Sequence, residues 1–86
     1  MRSGLVVLQP GESSGWHSTD EYEELIICLS GRGMVEVERN DGRNVDGSDL
    51  PAGHYAYNPP RTRHNVTNNG TEVMRYIYVV APVTTP

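Results

Sequence analysis

The sequence predicts an all-β sandwich or barrel, and three observations carry that prediction. Short apolar or alternating stretches are each fenced by turn residues. The turn signals recur about every 8–12 residues, the spacing of sandwiches and barrels. No window longer than about ten residues holds the 3.6-residue period of an amphipathic helix. Composition agrees, because 9 Gly and 6 Pro are too many for a helical bundle.

The elements follow in chain order. Leu5 to Leu8 reads as a first strand, closed by Gln9-Pro10-Gly11, and Gly11 to Asp20 is polar and loop-like. Glu24 to Leu29 is a β-branched run bounded by Ser30-Gly31. Met34 to Arg39 alternates, with Val35 and Val37 on one face and Glu36 and Glu38 on the other. Asn40-Asp41-Gly42 is a hairpin signal, since Asp-Gly supplies the positive φ values of a type I′ turn. A short return strand through Val45 is expected next, with a further turn at Asp46-Gly47. Gly53 to Asn58 is stopped by Pro59-Pro60, and His64 to Asn68 leads into the turn Asn68-Asn69-Gly70. Val73 to Ala81 is the last strand, ended by Pro82.

At 86 residues the expected organisation is one domain over 1–86. A core of that size is marginal alone, so a bound metal or a second subunit would help it. The net charge of -4 argues against nucleic acid, whose phosphates need a basic footprint. With no Lys in the chain, Schiff-base chemistry and a P-loop lysine are excluded. The single Cys28 cannot form an internal disulfide. No apolar run approaches the ~20 residues of a membrane span, and Pro10-Gly11 interrupts the start too early for a signal peptide. A soluble cytoplasmic protein is the expectation. Asn65-Val66-Thr67 and Asn69-Gly70-Thr71 match a glycosylation pattern, which without a secretory signal is read as chance.

The chemistry-bearing residues are histidines and acids. His17 precedes an acidic stretch ending in Glu23-Glu24, and His64 opens a later strand. Strands far apart in sequence can be neighbours in an antiparallel barrel. Two His and one carboxylate with open positions form the set used for non-haem Fe(II), and Mn, Ni, Zn or Cu also accept it.

The spacing of these residues resembles the cupins. The first cupin motif is Gly, five residues, His-x-His, three or four residues, Glu, six residues, Gly; Gly11, His17, Glu24 and Gly31 fall in that register. The second is Gly, five residues, Pro-x-Gly, two residues, His, three residues, Asn; Gly53, Pro59, His64 and Asn68 fall in that one. The resemblance spans residues 11–68 and implies a jelly-roll barrel, the cupin double-stranded β-helix. Cupins bind metal through three His and one Glu, so it also implies a divalent transition metal on His17, Glu24 and His64. Thr19 stands where the motif has its second His, Arg61 where it has Gly, and His54 where an acid often follows Gly53. The Thr19 departure lowers the expected metal affinity and leaves a metal-free member as the alternative. Its hydroxyl remains able to hold a coordinated water.

Strand parity extends the reading. If Glu24 faces inward, Ile26 and Cys28 do too, and Leu25, Ile27 and Leu29 face outward although apolar. Tyr76, Ile77, Tyr78 and Val79 likewise leave the last strand no polar face. A homodimer packed through a sheet face is therefore expected. Few residues precede Gly11, so an edge strand borrowed from a partner, or a flanking piece outside this sequence, is expected as well. Cys28 reads as a small buried hydrophobe, Tyr22 as a rim residue, and His54 as exposed. Trp16, Tyr55 and Tyr57 read as core or rim residues, with cavity lining as the alternative. Arg61 and Arg63 read as solvated loop residues, with an anionic substrate as their alternative role. The function implied by the resemblance is a metal-dependent enzyme of dioxygenase or isomerase type on a small organic substrate. The alternatives are a non-catalytic small-molecule binding or sensor module and a purely structural protein; no separate catalytic base is identifiable.

Overall fold

The computed structural model of the protein describes residues 1–39 and 44–83. Eight strands run in order: β1 (Arg2–Leu8), β2 (His17–Ser18), β3 (Tyr22–Ser30), β4 (Arg32–Arg39), β5 (Asn44–Pro51), β6 (Tyr55–Asn58), β7 (Arg63–Thr67) and β8 (Met74–Pro82). They form two four-stranded sheets, β1-β8-β3-β6 and β2-β7-β4-β5, with every pairing antiparallel. No helix occurs among the described residues. The result is an all-β jelly roll. This chain's own β1 pairs with β8 along its full length and forms one edge of that sheet.

The alternation in β3 sets the two faces. Glu24, Ile26 and Cys28 are 7%, 1% and 1% exposed, whereas Leu25 and Leu29 are 37% and 50% exposed. Inward parity on the other strands brings Leu8, Val35, Leu50, Val66, Met74 and Tyr76 into the same core. Removing the wholly buried Met74 side chain to Ala would cost about 2–5 kcal/mol. Gly31 closes β3 with φ 76°, and a Cβ there would stand 2.5 Å from the Val73 carbonyl oxygen. Only glycine accepts both the left-handed backbone and that approach.

Several local readings change. The loop read over Gly11 to Asp20 contains the two-residue β2, whose pairing with β7 no hydrophobic pattern announces. Asp46-Gly47 is not a turn: β5 runs straight through it, paired with β4 from Arg39↔Asn44 to Arg32↔Pro51. The continuous ladder overrides the local turn preference, and Gly47 lies against the Met34 side chain. The turn read at Asn40-Asp41-Gly42 lies outside the described residues. Tyr55 and Tyr57 are not core residues; β6 turns both to the outer face of its sheet, opposite Ala56 and Asn58, and both line a hollow away from His17 and His64.

Candidate metal centre

The antiparallel ladders bring distant residues to one end of the barrel. His17 on β2 pairs directly with His64 on β7. Glu24 reaches the same point from β3 in the facing sheet, so the centre bridges both sheets. One ligand atom from each of His17, Glu24 and His64 lies within 4.8 Å of the others. His64 is 1% exposed and Glu24 is buried beside it, while His17 is exposed at the mouth.

Hydrogen bonding orients both imidazoles. His17 Nδ1 lies 3.0 Å from the Gly15 carbonyl oxygen, and His64 Nδ1 lies 3.3 Å from that of Thr62. A carbonyl only accepts, so each bond requires the proton on Nδ1 and leaves the lone pair on Nε2. That is the tautomer a metal-ligating histidine uses.

His64 Nε2 stands 2.8 Å from Glu24 Oε1, yet the approach lacks hydrogen-bond alignment and this buried nitrogen has no directed partner. Two lone-pair atoms at that distance repel unless a proton or a metal cation lies between them. A buried atom in this state calls for such a partner. Burial pushes the Glu24 carboxyl upward, but the close approach and charge of His64, the Asn58 amide and the charge of His17 outweigh it and hold the carboxyl below its ordinary value. Asn58 Nδ2 donates to Oε1 at 3.2 Å from the paired position on β6. The centre therefore sets a carboxylate anion beside two imidazole Nε2 atoms, a set that fits a divalent transition metal.

Thr19 lies beside this centre, and its hydroxyl is taken up in backbone contacts. Its hydroxyl donates to the Pro59 carbonyl at 2.7 Å and accepts the Thr62 amide at 3.1 Å. Both bonds clasp the segment before β3 to the turn that delivers His64. The hydroxyl's proton is thus already committed, and its second lone pair remains able to accept from a coordinated water.

A cavity of about 230 Å³ opens over the centre, and its lining includes Arg2, Thr19, Asp20, Tyr22 and Tyr78 together with the three candidate ligands. A second hollow of about 260 Å³ continues from it among Val6, Ile26, Val66 and Tyr76. Arg2 shares the inward parity of Val6 and Leu8, and its guanidinium carbon lies 5.7 Å from the Tyr22 ring centroid. Tyr22 is a rim residue as read, and it also lines the cavity. Sequence reasoning missed Arg2 and Asn58. Parity from Leu8 back to Arg2 was a usable signal, whereas the β3–β6 register that brings Asn58 to Glu24 was not visible. Arg61 and Arg63 face away, paired to Glu21 at 3.2 Å and Glu38 at 3.4 Å. Cys28 is buried in the core and hydrogen-bonds weakly to the Ser30 carbonyl, and burial raises its thiol pKa. Asn68 is wholly buried and bonds the Leu8 and Glu72 carbonyls, which makes it a structural tie.

Comparison with known proteins bears on the same residues. A family profile described as "Cupin domain" matches residues 4–80. The chain belongs to the cupin family. Among solved structures this cupin is similar to a predicted oxalate decarboxylase from Thermotoga maritima, at TM-score 0.82 and 21% identity, with 94% of this chain and 65% of that one covered. It is similar to an oxalate oxidase at TM-score 0.84 and 17% identity, with 93% and 41% covered. It also resembles Drosophila melanogaster CENP-C bound to CAL1, at TM-score 0.84 and 15% identity, with 92% and 63% covered. These likenesses establish the fold, and the cupin spans less than two thirds of each of those three chains. No curated protein matches the sequence. No helix among the described residues is long and apolar enough to cross a membrane.

Proposed function

We propose that this cupin binds a divalent transition metal through His17 Nε2, the Glu24 carboxylate and His64 Nε2, and acts there on a small organic anion. The observation that carries the proposal is the buried, unpartnered Nε2 of His64 held against the Glu24 carboxylate. Similarity to an oxalate oxidase and a predicted oxalate decarboxylase supports the reading.

A bound metal would supply Lewis-acid or redox chemistry at the floor of the cavity. The chain's own groups do the rest. The Gly15 and Thr62 carbonyls hold the two imidazoles in the ligating tautomer, and Asn58 steadies Glu24. Three protein ligands leave coordination positions for substrate. Arg2 stands at the mouth as the cation that would meet a carboxylate, with the Tyr22 ring beside its guanidinium. Val6, Ile26 and Val66 line the inner hollow and would keep water from the organic part of the substrate. Dioxygenase and isomerase chemistry both suit this arrangement.

A second reading, a binding or sensor module without turnover, is favoured by one observation. Apart from Glu24, the cavity's carboxylate is Asp20, and its side chain is held by no hydrogen bond or ion pair among the described residues. A general acid or base needs a fixed position.

Metal content measured by elemental mass spectrometry on untagged protein tests the metal reading. Close to one transition metal per chain, lost in His64→Ala, is expected. Protein that is empty as purified and also refuses Fe, Mn, Ni, Cu and Zn would overturn it. With metal bound, a panel of small carboxylates assayed by turnover and by thermal shift then separates an enzyme from a binding module.

A further inference from the structure

Register arranges one wall of the cavity in ordered rows. On the inner face of β1-β8-β3, Arg2, Val80 and Glu24 share one row, Gly4, Tyr78 and Ile26 the next, and Val6, Tyr76 and Cys28 the third. Alternate residues of a strand lie about 7 Å apart, so this wall passes from a cation to hydrocarbon within about 14 Å. His17, Glu24, His64 and Tyr78 line both the mouth cavity and the inner hollow. The three candidate ligands and Tyr78 therefore form the neck between the two spaces.

Gly4 decides how Tyr78 lies. A Cβ at Gly4 would stand 2.7 Å from the Tyr78 hydroxyl and 2.8 Å from its ring. The Tyr78 side chain thus lies sideways across β1, in the place that a side chain at Gly4 would fill. Gly4 has no positive φ, so it serves this close approach alone. Charge sets the ends of the site. Arg2 lies over the Tyr22 ring and makes no ion pair among the described residues, which leaves it free for one anionic group. Asp20 and Glu24 already bring carboxylates to the mouth. Among the described residues no cation lines the hollow, whose walls include Val6, Ile26, Val66 and Tyr76. A second ligand carboxylate buried there would be uncompensated, whereas each methylene is favoured.

We propose that this site selects straight-chain monocarboxylates, and that Tyr78, seated against Gly4, is the residue that sets the specificity. The carboxylate meets Arg2, the adjoining carbons pass the neck, and the chain fills the hollow. A branch beside the carboxylate meets the Tyr78 ring. The placing of the adjoining carbon before His17, Glu24 and His64 rests on the metal reading above; the two subsites stand without it.

Calorimetric titration with octanoate and its branched isomer 2-propylpentanoate tests this, on Zn-loaded and on chelator-treated protein, with metal content measured alongside. Octanoate is expected to bind at least about tenfold more tightly than the isomer. Butanoate, hexanoate and octanoate should gain about fourfold in affinity per added methylene. Arg2→Gln should weaken both isomers alike, by about tenfold. Tyr78→Ala should bring the isomers within about threefold of each other. Tyr78→Leu gives the same reading if circular dichroism shows the alanine variant unfolded. Gly4→Ala should push the ring into the neck and weaken octanoate by at least about tenfold. Gly4→Ala with Tyr78→Ala should recover that loss, because the new methyl then meets no ring. Absence of octanoate binding at about 10 mM, equal binding of the isomers, or a preference that survives Tyr78→Ala overturns the proposal. So does octanoate binding that ignores Arg2→Gln and disappears on chelation, because the metal then holds the carboxylate. The two readings fail separately. A protein that takes up no metal yet keeps an octanoate preference, lost in Tyr78→Ala, upholds these subsites without the metal centre. A metal-loaded protein that binds neither isomer overturns the subsites and leaves the metal centre standing.

Discussion

His17 and His64 face each other across the β2–β7 ladder, with ring centroids 4.2 Å apart and planes inclined at 64°. Their environments differ sharply, because His64 is buried against Glu24 while His17 stands exposed at the mouth. The same nominal ligand role therefore carries different structural weight. His64→Ala is expected to lower the stability of chelator-treated protein by about 3 kcal/mol, since it strands a buried carboxylate. His17→Ala should change that stability by less than about 1 kcal/mol. Both should abolish the rise in thermal midpoint that added metal produces in wild type. Thermal unfolding with chelator and with metal separates the two effects, and equal losses without metal would contradict the assigned burial.

Glu24 gives a pH signature. Its folded carboxyl is held below the ordinary value of 4.5 by His64, Asn58 and His17, against the upward push of burial. A lowered folded value means that ionised Glu24 contributes stability above the unfolded value. The contribution is lost as pH falls through the folded one. In metal-free protein the stability gap between wild type and Glu24→Gln should be largest near about pH 7 and close toward about pH 3. Thermal midpoints of both proteins across that range check it; a gap that widens on acidification would reverse the sign.

Thr19 occupies a ligand position in the family pattern but serves as a clasp, through its bonds to Pro59 and Thr62. Thr19→Val keeps the shape and removes both bonds. The expected cost is about 1–2 kcal/mol, with metal stoichiometry unchanged. Chemical denaturation and elemental mass spectrometry on the same sample test this. Loss of metal with stability intact would instead make the hydroxyl part of the centre.

Much of this was legible in the residues, and the boundary of legibility has physical reasons. Parity in Glu24-Leu25-Ile26-Ile27-Cys28-Leu29 sorted inward from outward side chains, because a buried face strongly specifies register. The Gly and Pro spacing around His17 and His64 identified the family and brought its candidate ligands into view. What local sequence cannot carry is pairing between strands. Asn58 reaches Glu24 only through the β3–β6 register, and Asp46-Gly47 has turn chemistry yet lies in a ladder imposed by β4. Aromatic residues favour burial, which makes a core place plausible for Tyr55 and Tyr57, whereas β6 sends them outward beside Leu25 and Ile27.

Arg61 stands where the family pattern has glycine, and the backbone retains the glycine conformation, with φ 55°. Asp20 is also left-handed at φ 51°, and the Arg61 amide donates to the Asp20 carbonyl at 2.7 Å, so two strained residues brace each other at the edge of the cavity that Asp20 lines. A side chain in this region costs roughly 1–2 kcal/mol relative to glycine. The Arg61 side chain offsets little of that, because its pair with Glu21 is exposed and such pairs contribute at most about 1 kcal/mol. Glycine in turn loses more backbone freedom on folding, by about 0.5–1 kcal/mol. The strain relief is the larger quantity, so Arg61→Gly should raise stability by up to about 1 kcal/mol. For a chain of this size that is a rise in Tm of up to about 4–8 °C. Arg61→Ala separates the contributions, because it removes the ion pair and keeps the strain, and it should lie at or slightly below wild type. Calorimetry on the three proteins decides the matter: a destabilised glycine variant would mean that the Arg61–Glu21 contact holds the turn before His64, and that the turn's geometry depends on that side chain.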